Sequence, residues 1–279
     1  MLNAASIGDR SQETTVVSVE GVRINLPTLE VAAATALRRA QAGEGFTLFT
    51  LNLDHLVKLT TSEAFRAAYR RAALVTADGW PIVWLAGRQN VRLERATGAD
   101  LVEPLCESAA KSGVGLYFVG PGPRAQANAL EKLTARFAGL KVAGTETPML
   151  PGDGSNVPTA DLDAMAARIN ASGAGLCFMS MGAPKQELVA DALAGRCPRV
   201  GFICVGAALD FIAGEASRAP GWVQRAKLEW FWRVAHDPKR LTARYARCAV
   251  LFATLALRSF SQGRASPPSG APSPTGARS

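Results

Sequence analysis

The chain of 279 residues contains only two histidines, His55 and His236, and five cysteines with no CxxC pair among them. Two histidines without ligand-like neighbours argue against a histidine-based metal site. Cys106, Cys177, Cys197, Cys204 and Cys248 are scattered, mostly in apolar stretches such as GLCFM and GFICVG. They read as small buried hydrophobes of a reducing compartment, not as disulfides or metal ligands. The acid-x-acid arrangement that can hold a divalent cation occurs once, as Asp161-Leu162-Asp163, behind PTA at an expected helix start. Carboxylates there are accounted for by the helix dipole. The first fifteen residues, MLNAASIGDRSQETT, have neither a basic start nor the apolar core of roughly 7 to 15 residues that marks a secretory signal. The expectation is a cytoplasmic protein. Near the C-terminus only ten uncharged residues separate Arg247 from Arg258, far below the roughly 20 needed to cross a bilayer.

What is present is a globular composition, 48% hydrophobic and 19% charged, which excludes disorder as the main state. The net charge of +8 is unevenly placed. Residues 218–258 hold nine Lys or Arg against Glu229 and Asp237, whereas residues 1–217 sum to about −1. The basic character belongs to one C-terminal segment and points to a local anionic partner.

Along the chain, VVSVEGVRINLP reads as a hairpin around Glu20-Gly21, and LEVAAATALRRAQAG as a helix closed by Gly43. FTLFTL is a buried strand that passes into a helix near Asp54. From residue 114 the alternation is clear: GVGLYFVG, LKVAGTET, AGLCFMSMG and PRVGFICVG as strands, with PRAQANALEKLTARF, ADLDAMAARINAS and KQELVADALAG as helices between them. Apolar strands separated by helices predict an α/β fold, a Rossmann-like parallel sheet with helices on both faces. The expected organisation is a disordered N-terminus at 1–15, an α/β core at 16–224, a basic amphipathic helical appendage at 225–258 and a disordered Pro/Ser/Gly tail at 259–279. Ligands of such folds bind beyond the carboxyl ends of the strands, which selects the loops after residues 51, 77, 120, 182 and 206.

Each loop has two readings. VGPGPRAQANAL is a GxG turn before a helix, either a phosphate cradle or a plain tight turn, with Glu146 a few residues late for a ribose-binding acid. In MGAPKQE, Gly182 and Pro184 suit a turn and a first helical residue, but Lys185 and Gln186 have no evident structural duty. Asp210 in VGAALDFIAG either caps a loop or pairs with an arginine, because a buried carboxylate needs a partner. In RATGAD, Thr97 suits a helix cap, which leaves Arg95 unexplained. In VTADGW, Asp78-Gly79 is common turn chemistry placed directly after a buried strand.

Taken in order, TLNLDHL (50–56), TADGWPIVW (76–84), RATGADL (95–101), MGAPKQE (181–187), VGAALDFIAG (205–214), RAPGWVQ (218–224) and LEWFWRVAHDPKRLTARY (228–245) resemble the WecG/TagA/CpsF glycosyltransferases, family 26 of that classification. The resemblance implies a bacterial enzyme that transfers a sugar from a UDP-sugar to a polyprenyl-diphosphate-linked sugar. It implies inversion at the anomeric carbon, no bound metal or other cofactor, and peripheral association with the inner face of the plasma membrane through a C-terminal appendage. By position, the family's catalytic base falls on Asp78, and its substrate-binding residues on Thr50, Asn52, Arg95, Gln186, Arg233, Arg240 and Arg244. One departure touches Arg244: members often carry two arginines before the tyrosine, where this chain has Ala243-Arg244-Tyr245.

Two other classes compete. A nucleotide-dependent oxidoreductase would use the GPGPRA loop. A non-catalytic module would use the basic segment to meet a membrane or a nucleic acid, although nucleic acid is not among the expected partners. Glucose, N-acetylmannosamine and its uronic acid are all compatible as the transferred sugar.

Overall fold

A computed structural model describes residues 17–262; the expected disordered N-terminus and most of the expected tail lie outside the described residues. The chain opens with the expected hairpin, β1 (Val17–Val19) and β2 (Val22–Ile24), paired antiparallel from Val17↔Ile24 to Val19↔Val22. Its turn places Glu20 and Gly21 at φ 48 and 78. That left-handed pair matches the twist of the two strands, and the glycine adopts it without steric cost.

Then follow α1 (Leu29–Gln41), β3 (Phe46–Leu51), α2 (Leu53–Leu59), α3 (Glu63–Arg71), β4 (Leu74–Ala77), α4 (Trp80–Gly87), α5 (Gly98–Ser112), β5 (Leu116–Val119), α6 (Pro123–Arg136), β6 (Val142–Glu146), α7 (Thr159–Ala171), β7 (Leu176–Met179), α8 (Lys185–Ala194), β8 (Gly201–Cys204) and α9 (Ala208–Ala213). Three helices follow, α10 (Gly221–Arg225), α11 (Glu229–His236) and α12 (Pro238–Gln262), of which α11 and most of α12 fall in the segment 225–258 expected as the appendage.

Strands β3 to β8 form one parallel sheet in the order β4-β3-β8-β7-β5-β6. Alternate strand residues feed two cores. Phe49, Leu51, Val75, Val119, Met179 and Phe202 pack with α2, α3, α4, α7, α8 and the hairpin. Leu48, Leu74, Phe118, Phe178 and Ile203 pack with α1, α5, α6 and α9. Two covered faces explain why the inner strands β3, β8, β7 and β5 are buried at every position. Truncating a fully buried ring such as Phe118 or Phe202 to alanine costs about 3–5 kcal/mol. The β4 edge is closed by the chain after the hairpin: Asn25 and Leu26 donate their N–H groups to Val75 O, and the Asn25 side chain donates to Ala73 O at 2.8 Å and accepts from Val75 N at 2.9 Å. A covered edge offers no template for strand addition.

Candidate functional site

The ends of β3 and β4 lie side by side because the register pairs Thr50 with Thr76 and Leu51 with Ala77. Asp78 N–H donates to Leu51 O at 2.7 Å, which extends the ladder one residue beyond the strand. Gly79 turns the chain at φ 97, and Pro81 lies in the first turn of α4. Asn52 caps α2, its Oδ1 accepting from His55 N–H at 3.0 Å, and its Nδ2 donates to Asp78 Oδ2 at 3.3 Å. One amide therefore fixes the start of a helix and the direction of a carboxylate. Thr50 is buried in β3 beneath them.

Arg95 reaches the same edge through the backbone. The Thr76 hydroxyl donates to Ala96 O at 2.8 Å, and Ala96 N–H donates to Ala77 O at 2.8 Å. Thr97 is the cap expected for α5, accepting from Asp100 N–H at 3.1 Å. Gly98 is required by the close approach of α5 to β8: a Cβ there would lie 2.6 Å from Val205 Cα. Arg95 ion-pairs with Asp100 at 3.3 Å, faces Glu229 of α11 at 3.6 Å and donates to Gln224 of α10 at 3.3 Å. Arg218 also pairs with Asp100. Burial alone would raise the Asp100 carboxyl, but Arg218, Arg95 and the Thr97 hydroxyl outweigh it and hold it below its ordinary 3.8.

Gln186 lies in the first turn of α8 and is 3% exposed. Its Oε1 accepts from Gly206 N–H at 2.9 Å, and its Nε2 donates to Glu187 Oε1 at 2.7 Å. Both ends of the amide are engaged, so Gln186 ties the loop after β7 to the loop after β8. Lys185 donates to Leu150 O at 2.7 Å and fastens the loop after β6 to the same helix.

The appendage lies against this edge. Arg244 on α12 ion-pairs with Asp54 on α2 at 2.9 Å, and Lys58 bonds the same carboxylate. Burial would raise the Asp54 carboxyl; Arg244 and Lys58 hold it below 3.8. Phe252 sits edge-on to Trp80 at 5.0 Å and to Trp84 at 5.5 Å, both on the helix that follows Asp78. Leu255 is 3% exposed and Val250 69%, with Leu251 and Phe252 packed on the core, so α12 has one docked face and one open face. Trp222, Trp230 and Phe231 are exposed as well. Arg233 lies on α11 and Arg240 on α12, with side chains outside the described residues.

Other motifs have structural partners. Gln126 Nε2 lies within hydrogen-bond distance of Phe118 O, Gly120 O and Glu146 O, which locks the GPGPRA loop. The Glu146 carboxylate takes Arg168 at 2.8 and 3.0 Å and the Tyr117 hydroxyl at 2.6 Å, so the acid an oxidoreductase would turn to a ribose is already engaged. Asp163 pairs with Arg196 at 2.7 Å, and Asp161 stands in the first turn of α7. Asp210 stands in the first turn of α9, and the nearby Arg218 serves Asp100 instead. All five cysteines are buried and free. Among the described residues, no three His, Cys, Asp or Glu side chains gather as a metal would require, and no helix is long and apolar enough to cross a membrane. A cavity of about 470 Å³ opens at the opposite, amino edge of the sheet between Arg23, Asn25, Thr35, Arg38 and Arg39, away from the motif loops.

The structure thus gathers Thr50, Asn52, Asp78, Arg95 and Gln186 along one sheet edge and sets Arg244 on α2 beside them. Sequence reasoning missed the partners: Asp54, Asp100 and Glu187 all fall inside quoted motifs, and His55 was set aside. The available signal is an acid two or three residues past a helix cap, which needs a partner when it is buried.

Comparison with models of protein families matches residues 17–266 to the glycosyl transferase WecG/TagA/CpsF family, and the chain belongs to that family.

Proposed function

From that membership we propose an inverting, metal-independent transfer of a sugar from a UDP-sugar to a polyprenyl-diphosphate-linked sugar, in bacterial cell-surface polysaccharide synthesis at the inner face of the plasma membrane. The observation that carries the reading is the Asp78 carboxylate aimed by the Asn52 amide at the carboxyl edge of the sheet. An acceptor hydroxyl is a weak nucleophile until a positioned base takes its proton. In this reading the hydroxyl oxygen attacks the anomeric carbon from the face opposite the nucleotide. The bond from that carbon to the diphosphate oxygen breaks, UDP leaves with the electron pair, and the proton passes to Asp78. Thr50, Asn52 and the Gln186–Gly206 loop form the donor's side of the site.

Departing UDP carries negative charge, and guanidinium groups suit phosphate because they can bind it through two N–H donors. Arg95, at the same sheet edge and held by Asp100 and Gln224, is one described candidate, and Arg233 and Arg240 are assigned to the diphosphate by family position. Arg244 faces Asp54 in the described state, so its role here is first to hold the appendage closed. Closure over the site would also exclude water. The open face of α12, with Arg247 and Arg258, together with the exposed Trp222, Trp230 and Phe231, suits the boundary between lipid headgroups and acyl chains.

The test is UDP release across a panel of UDP-sugars with a lipid-diphosphate-sugar acceptor, comparing wild type with Asp78→Asn. Turnover of the folded variant near the wild-type level would refute the base assignment.

A further inference from the structure

Glu187 is fully buried on α8, next to Gln186. Its Oε1 accepts from Gln186 Nε2, while its Oε2 is buried with no hydrogen-bond partner. Across the contact with α2, His55 Nε2 lies 3.9 Å from Glu187 Oε1, and His55 Nδ1 is 2.6 Å from the Tyr69 hydroxyl of α3. A series of buried polar groups therefore runs Tyr69, His55, Glu187, Gln186, Gly206 beneath the sheet edge. His55 belongs to the same short helix that Asn52 caps, and its N–H occupies Asn52 Oδ1.

An ionised carboxylate that meets only neutral donors and leaves its second oxygen without a partner is costly in such a place. Burial raises the Glu187 carboxyl to about 7, against the bond from Gln186 and the charge of Lys58, while Asp54 pushes the same way as burial. Burial, then Lys58, lowers His55 to about 3. Tyr69 and Cys204, both buried, are the remaining titratable neighbours. Between about pH 3 and pH 7 the folded pair is a neutral acid beside a neutral imidazole.

We propose that Glu187 is a positioning residue of the site: it orients the Gln186 amide that pins Gly206, and against His55 it seats α2, whose cap Asn52 aims Asp78. This rests on the assignment of Asp78 as the base. No step is added to the reaction; the carboxyl keeps three motif loops in register, and its ionisation loosens them.

The full chain is compared with Glu187→Gln and Glu187→Leu. Glutamine resembles the neutral acid in shape, so kcat should stay within about threefold of wild type, and an alkaline fall in kcat/KM near pH 7, expected of wild type, should be absent from the variant. Leucine cannot accept from Gln186, and kcat drops about tenfold or more while the donor KM moves less. A readout independent of activity uses thermal unfolding. The folded acid titrates above its ordinary 4.5, so wild type loses stability relative to Glu187→Gln as pH rises from 4.5 to about 7, and the difference stays constant above that. An unchanged alkaline limb in Glu187→Gln together with no pH-dependent stability difference would overturn the proposal, as would wild-type kcat in a folded Glu187→Leu. If Glu187→Leu does not fold, the Glu187→Gln profiles decide. If no UDP-sugar is consumed but the stability difference appears, the catalytic reading falls while the neutral buried acid stands.

Discussion

The loops at the sheet edge and the helical appendage are built in different ways. Around Asp78 the loops are set mainly by main-chain bonds, Asp78 N–H to Leu51 O and Ala96 N–H to Ala77 O, joined by one side-chain amide, that of Asn52, which serves two loops. Around α12 the geometry follows from side chains: the Asp54–Arg244 pair, Phe252 between two tryptophans, and Leu255 in the core. A main-chain frame tolerates side-chain changes without moving. A helix docked through a few side chains can be loosened one contact at a time, as expected of an element that opens and closes.

The largest effect should come from the rigid region. Asp78→Asn is expected to lower kcat by about 10²- to 10⁴-fold with little change in thermal midpoint, read by UDP release and calorimetry. Loss of fold instead would place Asp78 with the structural residues and erase the contrast. Next, Phe252→Ala removes the ring from Trp80 and Trp84 and should cost about 1–3 kcal/mol, with proteolysis appearing first in residues 226–262. Global unfolding in a single step would show that core and appendage are one cooperative unit.

A smaller effect concerns the Asp54–Arg244 pair. A double-mutant cycle with Asp54→Asn and Arg244→Gln should give a coupling of about 0.5–3 kcal/mol, and zero coupling would mean the pair does not hold the appendage. The same contact gives a pH dependence. Asp54 and Asp100 are depressed below 3.8 in the folded chain, so their stabilisation is complete above that value and is lost as pH falls through the folded values. Cleavage of the appendage in limited proteolysis should therefore accelerate below about pH 4. The smallest effect is Asp163→Ala, which breaks an exposed pair with Arg196 and should change stability by less than about 1 kcal/mol and activity not at all. A large loss of activity there would reopen a metal role for the acid-x-acid pair.

Most of the fold was legible because its signals are local. The Glu20-Gly21 turn, the apolar runs FTLFTL and GFICVG, and the cap Thr97 each act within a few residues. The loops carrying Asn52, Asp78, Arg95 and Gln186 follow from the same logic, since each ends a buried strand or opens a helix. The partners were less visible. Asp54 and Arg244 are 190 positions apart, and no periodicity in a window of one helix reports such a pair. Glu187 is an acid in the first turn of α8, a place usually open to solvent, and only packing of α8 against its neighbours buries it.

By itself the sequence determined which residues end strands and cap helices, because backbone geometry and hydrophobic spacing are set by near neighbours. The tertiary structure alone decided the strand order, the burial of His55 against Glu187, and the use of Arg244 on Asp54. Those depend on which distant surfaces exclude water together, and desolvation there decides which groups keep their charge.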